Sequence, residues 1–260
     1  FRQWKKRCSC LAGRAHCTFL NKDKPMHKDL HILYEDNHII VVCKPFNIPV
    51  MPDSSKDEDM FSIVKNYIKE SCQKAGNVYL GIVHRIDRPT GGVMVFAKTS
   101  KAASRLSQSI REGEFEKKYL AVTVGVPAEE NATLVHYIKK NSITNVVNVV
   151  PSATEDAKRA ELYYKVLEKV SGKISLLEIL LVTGRAHQIR VQLAHIKCPI
   201  FGDVKYGGDI AKGYNLALFA SRLSFIHPVT KNRMVFIAYP PQDSEPWKRF
   251  DIERHLQLIK

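Results

Sequence analysis

The sequence predicts an α+β fold with a central mixed, largely antiparallel sheet flanked by helices. Stretches of strand composition outnumber stretches of helical periodicity, and the two kinds do not alternate regularly along the chain, as a doubly wound parallel sheet would require. Hydrophobic residues make up 45% of the 260, which is enough apolar surface for a substantial core. Intrinsic disorder is therefore excluded as an account of the whole chain.

The first elements are predicted from about residue 30 onward. Residues 38–43, which read HIIVVC, have the composition of a buried strand that ends at Lys44. Residues 59–71 carry apolar side chains at helical spacing, and Asp57 or Asp59 can cap the first turn. A strand followed by an amphipathic helix is expected here.

A second strand and helix come next, and strands then dominate. Residues 92–98 have strand composition, and Thr99 or Ser100 can cap a following helix that stops at Gly113. One more helix is predicted at 184–196. The later strand predictions cover 118–124, 145–150, 160–167, 174–182, 216–225 and 233–238. Of these, 145–150, 160–167 and 174–182 are rich in β-branched or aromatic residues.

Charge divides the chain into a basic arm over residues 1–29 and a folded domain over residues 30–260. The first 22 residues contain six basic and no acidic side chains. That composition is typical of an RNA-contacting arm or of the remainder of a mitochondrial transit sequence. We expect the mitochondrial matrix, with the bacterial cytoplasm as the alternative.

The overall charge favours a polyanionic partner. Lys and Arg number 40 against 26 Asp and Glu, a net charge of +14. An excess of that size suits nucleic acid, although a merely soluble basic protein is the alternative. No apolar run approaches the roughly 18 uncharged residues of a membrane span, so none is expected.

Cysteine usage favours a reducing compartment. The six cysteines are scattered, without the density of a small disulfide-stapled domain. Cys8, Cys10, His16 and Cys17 lie close together, but their spacing matches no common zinc motif. We expect reduced thiols there and no metal site.

The densest group of candidate catalytic side chains reads HRIDRPTGG at residues 84–92. Its single carboxylate, Asp87, lies between Arg85 and Arg88, whose charges favour the ionised form that suits a nucleophile or a base. From these residues alone, a salt-bridged aspartate in a turn is the alternative. The phosphate-binding patterns G-x-x-x-x-G-K-[ST] and G-x-G-x-x-G are absent, as is H-E-x-x-H.

A second polar group reads TGRAHQIRVQ at residues 183–192. Arg185 and Arg190 can bind phosphate or pair with a remote carboxylate. Backbone amides at a helix start from Gly184 onward would also favour an anion. An exposed basic helix is the alternative.

Both groups resemble signature blocks of RluA-type pseudouridine synthases. The segment HRIDRPTGGVMVFAKT is similar to H-R-L-D-x-x-T-S-G-L-x-x-F-A-K-T, and TGRAHQIRVQLAHIKCPIFGDVKYG is similar to T-G-R-x-H-Q-I-R-V-H-x-x-x-x-G-x-P-I-x-G-D-x-x-Y-G. YEDNHIIVVCKPFNIPV and KKYLAV resemble two further blocks in the expected order. The resemblance spans about residues 30–239.

The resemblance implies a pseudouridine synthase catalytic domain and three catalytic residues. Asp87 would be the catalytic aspartate, Tyr119 the active-site tyrosine, and Arg190 the basic partner of Asp87. Converting uridine to pseudouridine breaks an N-glycosidic bond, turns the base and joins C5 to the sugar, so a carboxylate must meet an electrophilic sugar or base. Whether Asp87 attacks the sugar, attacks the ring or removes a sugar proton stays open. For Tyr119, a core tyrosine is the alternative to stacking on uracil.

The substrate implied is structured RNA, from which the target base must be extruded. Large-subunit ribosomal RNA is the first expectation and transfer RNA the second, with a ribosomal subunit or its precursor as a partner. No metal, nucleotide or redox cofactor is required by this isomerisation. The expected RNA contacts are Arg85, Arg88, Arg185, His187 and Lys44.

Two rival functions are weighed against the synthase. A catalytically idle RNA-binding or ribosome-assembly factor could keep the fold, but a pure binder gains nothing from an acidic residue facing phosphates. A glycosidase lacks a second acid near Asp87. The chain departs from the family at Gly91, where Ser is frequent, at Gln192, where His is frequent, and at Pro89, where an acid is more usual. These differences bear on the turn and on RNA fit rather than on reaction type.

Overall fold

The computed structural model describes residues 30–71 and 76–257, together with the backbone of Arg14–Cys17. The side chains of Cys8, Cys10, His16 and Cys17 lie outside the described part. Contacts divide the chain into two compact units. One consists of the described part of Phe1–Lys117 with Ala220–Pro240, and the other of Lys118–Phe219 with the described part of Pro241–Lys260.

The elements follow one another in an irregular order of strands and helices. The strands are β1 (Arg14–Cys17), β2 (Ile32–Glu35), β3 (Ile39–Lys44), β4 (Gly81–Ile82), β5 (Gly91–Ala97), β6 (Glu116–Val124), β7 (Asn131–Lys140), β8 (Val147–Val150), β9 (Lys158–Val170), β10 (Ile174–Leu181), β11 (Leu218–Ile226) and β12 (Arg233–Ala238). The helices are α1 (Met60–Ser71), α2 (Ser100–Arg111), α3 (Gln188–His195), α4 (Val204–Gly207) and α5 (Ile252–Gln257), with a 3₁₀ turn at Trp247–Arg249.

The strands of the first unit hydrogen-bond in the order β2-β3-β5-β11-β12-β1, and β4 pairs with β5. β1 runs parallel to β12, whereas β2, β3, β4 and β5 pair antiparallel, as do β11 and β12. β3 and β5 are buried at every position, which explains their continuous apolar sequences. Four residues of the predicted arm therefore form an edge strand, β1.

The two helices of the first unit begin where the sequence predicts. In α1 the buried residues Met60, Val64 and Ile68 recur every fourth position, and Asp59 Oδ1 accepts a 3.0 Å hydrogen bond from the Ser62 amide. In α2 the cap is Thr99 rather than Ser100. Both helix predictions are confirmed.

The second unit is an antiparallel sheet in the order β6-β10-β9-β7-β8, with α3 packed on β7 and β8. A small core cluster joins β7, β8, β9 and α3 and comprises Ile138, Val147, Ala160 and Val191. The sequence did not predict β7, because most of its positions are partly or fully exposed and polar residues make up half of it. Local composition carries a weak signal for such a strand.

The predicted fold class is confirmed, with one correction to a helix boundary. Strand pairing in the described part of the chain is largely antiparallel, with β1 and β12 parallel, and helices flank the strands. α3 begins at Gln188, four residues later than expected, because His187 adopts a left-handed backbone with φ of 50°. Among the described residues, no helix has both the length and the apolar composition to cross a membrane.

Candidate active site

Asp87 lies in the loop between β4 and β5, in the first unit. His84 and Ile86 turn their side chains inward, whereas Arg85 and Arg88 are exposed and Asp87 is half-buried. Exposure alternates from His84 to Asp87, as in an extended backbone whose successive side chains point to opposite sides, and the turn that begins at Asp87 ends the alternation. The sequence H-R-I-D-R therefore presents one carboxylate beside two surface arginines.

A tight turn sets the position of Asp87. The amide of Thr90 donates a 3.0 Å hydrogen bond to the Asp87 carbonyl, and Thr90 itself is buried. Immediately beyond, Gly92 has φ of +121°, and a Cβ on it would lie 2.6 Å from the backbone nitrogen of Ala220. Glycine is required at position 92 both for its backbone conformation and for this close approach.

Lys44 supports this turn from inside the protein. Its side chain is 0% exposed, and Nζ donates hydrogen bonds to the carbonyls of Pro45 (2.9 Å), Ile48 (2.6 Å) and Arg88 (2.9 Å). Burial lowers the pKa of Lys44 to about 7, a shift that the nearby Asp87 carboxylate opposes. The prediction that Lys44 contacts RNA is corrected, because this ammonium is enclosed and its donors are directed at backbone carbonyls.

The side chain of Arg88 is tied to the segment that follows β3. Nε donates to the Asn47 carbonyl at 3.1 Å, and Nη1 donates to Ser55 Oγ at 3.0 Å. The same guanidinium pairs with Asp53 and with Asp57. Its hydrogen bond lowers the pKa of the Asp57 carboxyl. Arg88 therefore braces this loop at the surface.

Arg85 is the surface cation of this loop that remains available. Within the described residues its guanidinium has one weak hydrogen bond, from Nη1 to Met51 Sδ at 4.0 Å. Arg85 is exposed, and Met51 is itself 44% exposed. This geometry suits the RNA contact that the sequence predicts for Arg85.

His84 is a half-buried residue next to the loop, and its imidazole is neutral. Nε2 accepts a 3.1 Å hydrogen bond from the Val95 amide, so the proton of the neutral ring lies on Nδ1. The ring packs edge-on against Phe115, with centroids 5.2 Å apart. Burial, and secondarily the charge of Lys117, lowers the pKa of His84 to about 3. His84 is therefore an internal support for β5, a role that sequence reasoning missed.

Tyr119 lies on β6 in the second unit. It is opposite Ile179 of β10, and its side chain is 6% exposed. Such burial is compatible with a core position and with one wall of a substrate site. The catalytic role of Tyr119 therefore stays a prediction.

Arg190 is fixed by a carboxylate that sequence reasoning missed. Its Nε and Nη2 donate to the two oxygens of Asp203 at 2.8 and 2.6 Å, in a bidentate pair whose side chains are 8% and 0% exposed. The guanidinium carbon also lies 5.1 Å from the ring centroid of Tyr206. Asp203 belongs to the G-D-x-x-Y-G end of the second signature block, which was the available signal. The predicted pairing of Arg190 with Asp87 stays a prediction.

Asp203 and Tyr206 connect the elements around Arg190. Asp203 Oδ1 accepts from the amides of Lys205 and Tyr206 and so caps α4. The Tyr206 hydroxyl accepts a 2.9 Å hydrogen bond from the Val147 amide and lies 2.7 Å from His187 Nδ1. His187 is half-buried, and its contact with RNA stays a prediction.

Gln188 shapes the loop that carries Arg185. Its Oε1 accepts from Thr183 Oγ1 at 2.8 Å and from the Arg185 amide at 3.0 Å, while Nε2 donates to the Glu161 carbonyl. The Arg185 side chain is exposed, and its Nε donates to the Arg159 carbonyl at 3.2 Å. Arg185 is therefore a surface cation on a well-fixed loop, which suits the predicted RNA contact.

The departure at Gln192 lies in the core of the second unit. Gln192 is 0% exposed, and its Nε2 donates to the carbonyls of Leu134 and Ala160 at 3.1 and 3.2 Å. It also lies 3.0 Å from His136 Nδ1. This residue joins α3 to β7 and β9, so its identity affects packing inside the second unit.

The matching family model decides the family. Residues 38–195 match the model described as RNA pseudouridylate synthase, a stretch that contains Asp87, Tyr119 and Arg190. The chain belongs to the RNA pseudouridylate synthase family. The family predicted from the two signature blocks is thus confirmed.

Curated relatives agree with this membership, and a solved structure shares the fold. The chain is 32% identical over 233 residues to ribosomal large subunit pseudouridine synthase D of Xanthomonas campestris pv. campestris, covering 84% of this chain and 68% of that protein. It is 30% identical over 189 residues to ribosomal large subunit pseudouridine synthase C of Rickettsia bellii, covering 73% and 60%. The fold is similar to that of human RNA pseudouridylate synthase domain containing 1, with a TM-score of 0.71 and 20% identity. The match covers 92% of this chain and 97% of the human chain. The chain thus spans between three fifths and about two thirds of those two curated relatives.

Proposed function

We propose that this chain isomerises uridine to pseudouridine in large-subunit ribosomal RNA. The observation that carries the proposal is the family match over residues 38–195, which includes all three predicted catalytic residues. The choice of RNA is supported by the names of the curated relatives, which are ribosomal large subunit pseudouridine synthases. The net charge of +14 supports an RNA substrate of any kind.

The chemistry is assigned to Asp87, Tyr119 and Arg190. Asp87 supplies the carboxylate that meets the sugar or the base during glycosidic cleavage. Tyr119 supplies a flat face and a hydroxyl for the uracil ring. Arg190 supplies a fixed positive charge, and its bidentate pairing with Asp203 supports that role because it holds the guanidinium in one orientation.

Mapping of pseudouridine across all cellular RNA tests the proposal. Cells that lack the protein are supplied with wild type, with Asp87→Asn or with Glu155→Gln. Glu155 is an exposed carboxylate of the second unit and serves as the matched control. We expect ribosomal sites that are modified with wild type and with Glu155→Gln but not with Asp87→Asn.

Two other results would replace the proposal. Sites confined to transfer RNA would keep the reaction and change the substrate. An identical map in all cells, with RNA bound equally by wild type and Asp87→Asn, would leave the idle RNA-binding factor.

The compartment and the partner are part of the same proposal. We place the protein in the mitochondrial matrix, on the support of the six basic and no acidic side chains in the first 22 residues. The partner is a large ribosomal subunit or its precursor. Fractionation followed by gradient sedimentation tests both, and a protein that sediments free of ribosomal particles would argue against the partner.

A further inference from the structure

The second unit contains an open groove in which four of the nine lining residues are basic. Its volume is about 440 Å³. Three segments form it: the β7–β8 hairpin, the start of β9 and the loop that precedes α3. Its charged residues are Lys139, Lys140, Lys158, Arg185 and Asp156.

The four groove cations outnumber the single acidic residue that lines the groove, Asp156. Across residues 30–71 and 76–257, no ion pair involves Lys139, Lys140, Lys158 or Arg185. Elsewhere in the same sheet, Lys118 and Lys169 are each paired with a glutamate. With one acid among four cations, the groove attracts an anion.

The groove is built on a rigid base. Ile138 and Val147 form part of its lining and also belong to the buried core cluster with Val191 of α3. Lys158 lies directly opposite Ile138 in the β7–β9 pairing, which fixes its position. The cations therefore project from a surface that is already ordered before any ligand binds.

The lining also indicates what kind of anion fits. No aromatic side chain from the described part of the chain lines the groove, so these residues offer no platform on which a base would stack. Gly184 and Ala186 keep the wall beside Arg185 free of long side chains. Several cations spread over three segments suit a chain of phosphates better than a single one.

We propose that this groove binds the phosphodiester backbone of the substrate RNA, at nucleotides other than the target uridine. The proposal rests on the proposed function, because that function supplies the RNA that occupies the groove. The groove would hold and orient the RNA without reading its sequence, because phosphate contacts carry no information on base identity.

Two charge-matched variants of the full chain test the groove. The groove variant carries Lys139→Gln, Lys140→Gln and Lys158→Gln. The control variant carries Lys101→Gln, Lys165→Gln and Lys173→Gln, three exposed lysines outside the groove. Both lose the same charge, so a difference between them reports position rather than net charge.

The probe is a fluorescein-labelled, uridine-containing RNA stem-loop, and binding is measured by anisotropy at salt concentrations from about 50 to 300 mM. We expect Kd of the groove variant to rise about tenfold at the lowest salt, with the slope of log Kd against log salt reduced by about two. We expect less than about a twofold change in the control. Equal effects in the two variants, or none in the groove variant, would overturn the proposal.

Folding and catalysis are followed separately. Because Lys139 is half-buried, Lys140→Gln with Lys158→Gln provides a second groove variant made only at exposed positions, with about half to two thirds of the effect expected. When the rate is measured over a range of RNA concentrations, we expect KM to rise and kcat, which is read at saturating RNA, to stay unchanged. If wild type binds the RNA through the groove but forms no pseudouridine, the proposed function fails and the groove stands. If wild type isomerises uridine and both groove variants have the wild-type KM, the groove proposal is overturned while the proposed function stands.

Discussion

Lys44 Nζ donates a 2.9 Å hydrogen bond to the backbone carbonyl of Arg88, a residue 44 positions along the chain. The bond joins the end of β3 to the turn that begins at Asp87. Nζ also donates to the carbonyls of Pro45 and Ile48, so one buried ammonium connects two loops. The position of Asp87 therefore depends on a residue that does not reach the surface.

Replacing Lys44 by methionine should both destabilise the protein and lower its rate of pseudouridine formation. Three carbonyls, one of them in a fully buried hydrogen bond, lose their donor, and we expect the free energy of unfolding to fall by roughly 3 kcal/mol. In molecules that remain folded, displacement of Asp87 should lower kcat by about tenfold or more with little change in KM. Urea unfolding and pseudouridine formation at saturating RNA are the measurements.

The control for this change is Lys101→Met. Lys101 is exposed on α2, and its loss should alter the free energy of unfolding by less than about 0.5 kcal/mol. If Lys44→Met and Lys101→Met prove equally stable and equally active, the ammonium has no supporting role in the turn.

The case of Lys44 illustrates what the sequence could predict and what it could not. The strand HIIVVCK and the helices capped by Asp59 and Thr99 were predictable, because composition and capping are local properties. The burial of Lys44 was not, because its partners include Arg88, which is distant in sequence. A lysine next to a catalytic loop is more often a surface cation.

In the second unit, too, local motifs were predictable and contacts between distant residues were not. The motif around Arg190 was recognisable as a block, but its bidentate partner Asp203 lies beyond the helix, and block similarity does not tell which residues touch. The start of α3 was predicted too early because His187 is held in a left-handed conformation by its surroundings. β7 was missed because its exposed positions resemble those of a loop.

Arg85 and Arg88 are expected to behave differently although both flank Asp87. Arg85→Ala removes an exposed cation with few protein contacts, so RNA affinity should fall and the salt slope should decrease by about one. Its free energy of unfolding should change by less than about 0.5 kcal/mol. Arg88→Ala frees Asp53 and Asp57, and amide exchange between residues 47 and 57 should accelerate. Anisotropy and exchange measurements on both variants provide the comparison; identical profiles would contradict it.

His84 is expected to make stability fall in acid. Its pKa is about 3 in the folded protein and about 6.5 in the unfolded chain, so between these values the unfolded chain binds the additional proton. The free energy of unfolding should therefore decrease as the pH falls through that window. Relative to His84→Phe, wild type should lose about 2 kcal/mol between about pH 7.5 and pH 5.

Urea unfolding of both proteins at each pH measures this difference. The variant loses the hydrogen bond from the Val95 amide and is expected to be less stable at neutral pH, so the comparison concerns the pH dependence and not the absolute stability. Parallel curves for the two proteins would mean that the imidazole is accessible to protons in the folded state.

Asp203 is expected to be essential both for stability and for holding the Arg190 guanidinium in the orientation that the reaction needs. Asp203→Asn keeps an N-cap for α4 but removes the charge that balances a buried guanidinium, and we expect a loss of about 3 kcal/mol in the free energy of unfolding. Asp203→Ala removes the cap as well and should cost about 1 kcal/mol more. The exposed pair of Lys169 and Glu130 is the control, and Glu130→Gln should cost at most about 1 kcal/mol.

The same variants separate stability from catalysis. Under conditions where Asp203→Asn remains folded, Arg190 keeps its charge but loses its fixed orientation, so kcat should fall while RNA affinity stays close to wild type. The kcat of Arg190→Lys should fall by a similar factor, because an ammonium cannot form the bidentate pair that Asp203 accepts. Single-turnover formation of pseudouridine at saturating RNA measures the effect. A folded Asp203→Asn protein with the wild-type rate would show that the orientation of Arg190 is irrelevant to the reaction, and would limit the Asp203 pair to a role in folding.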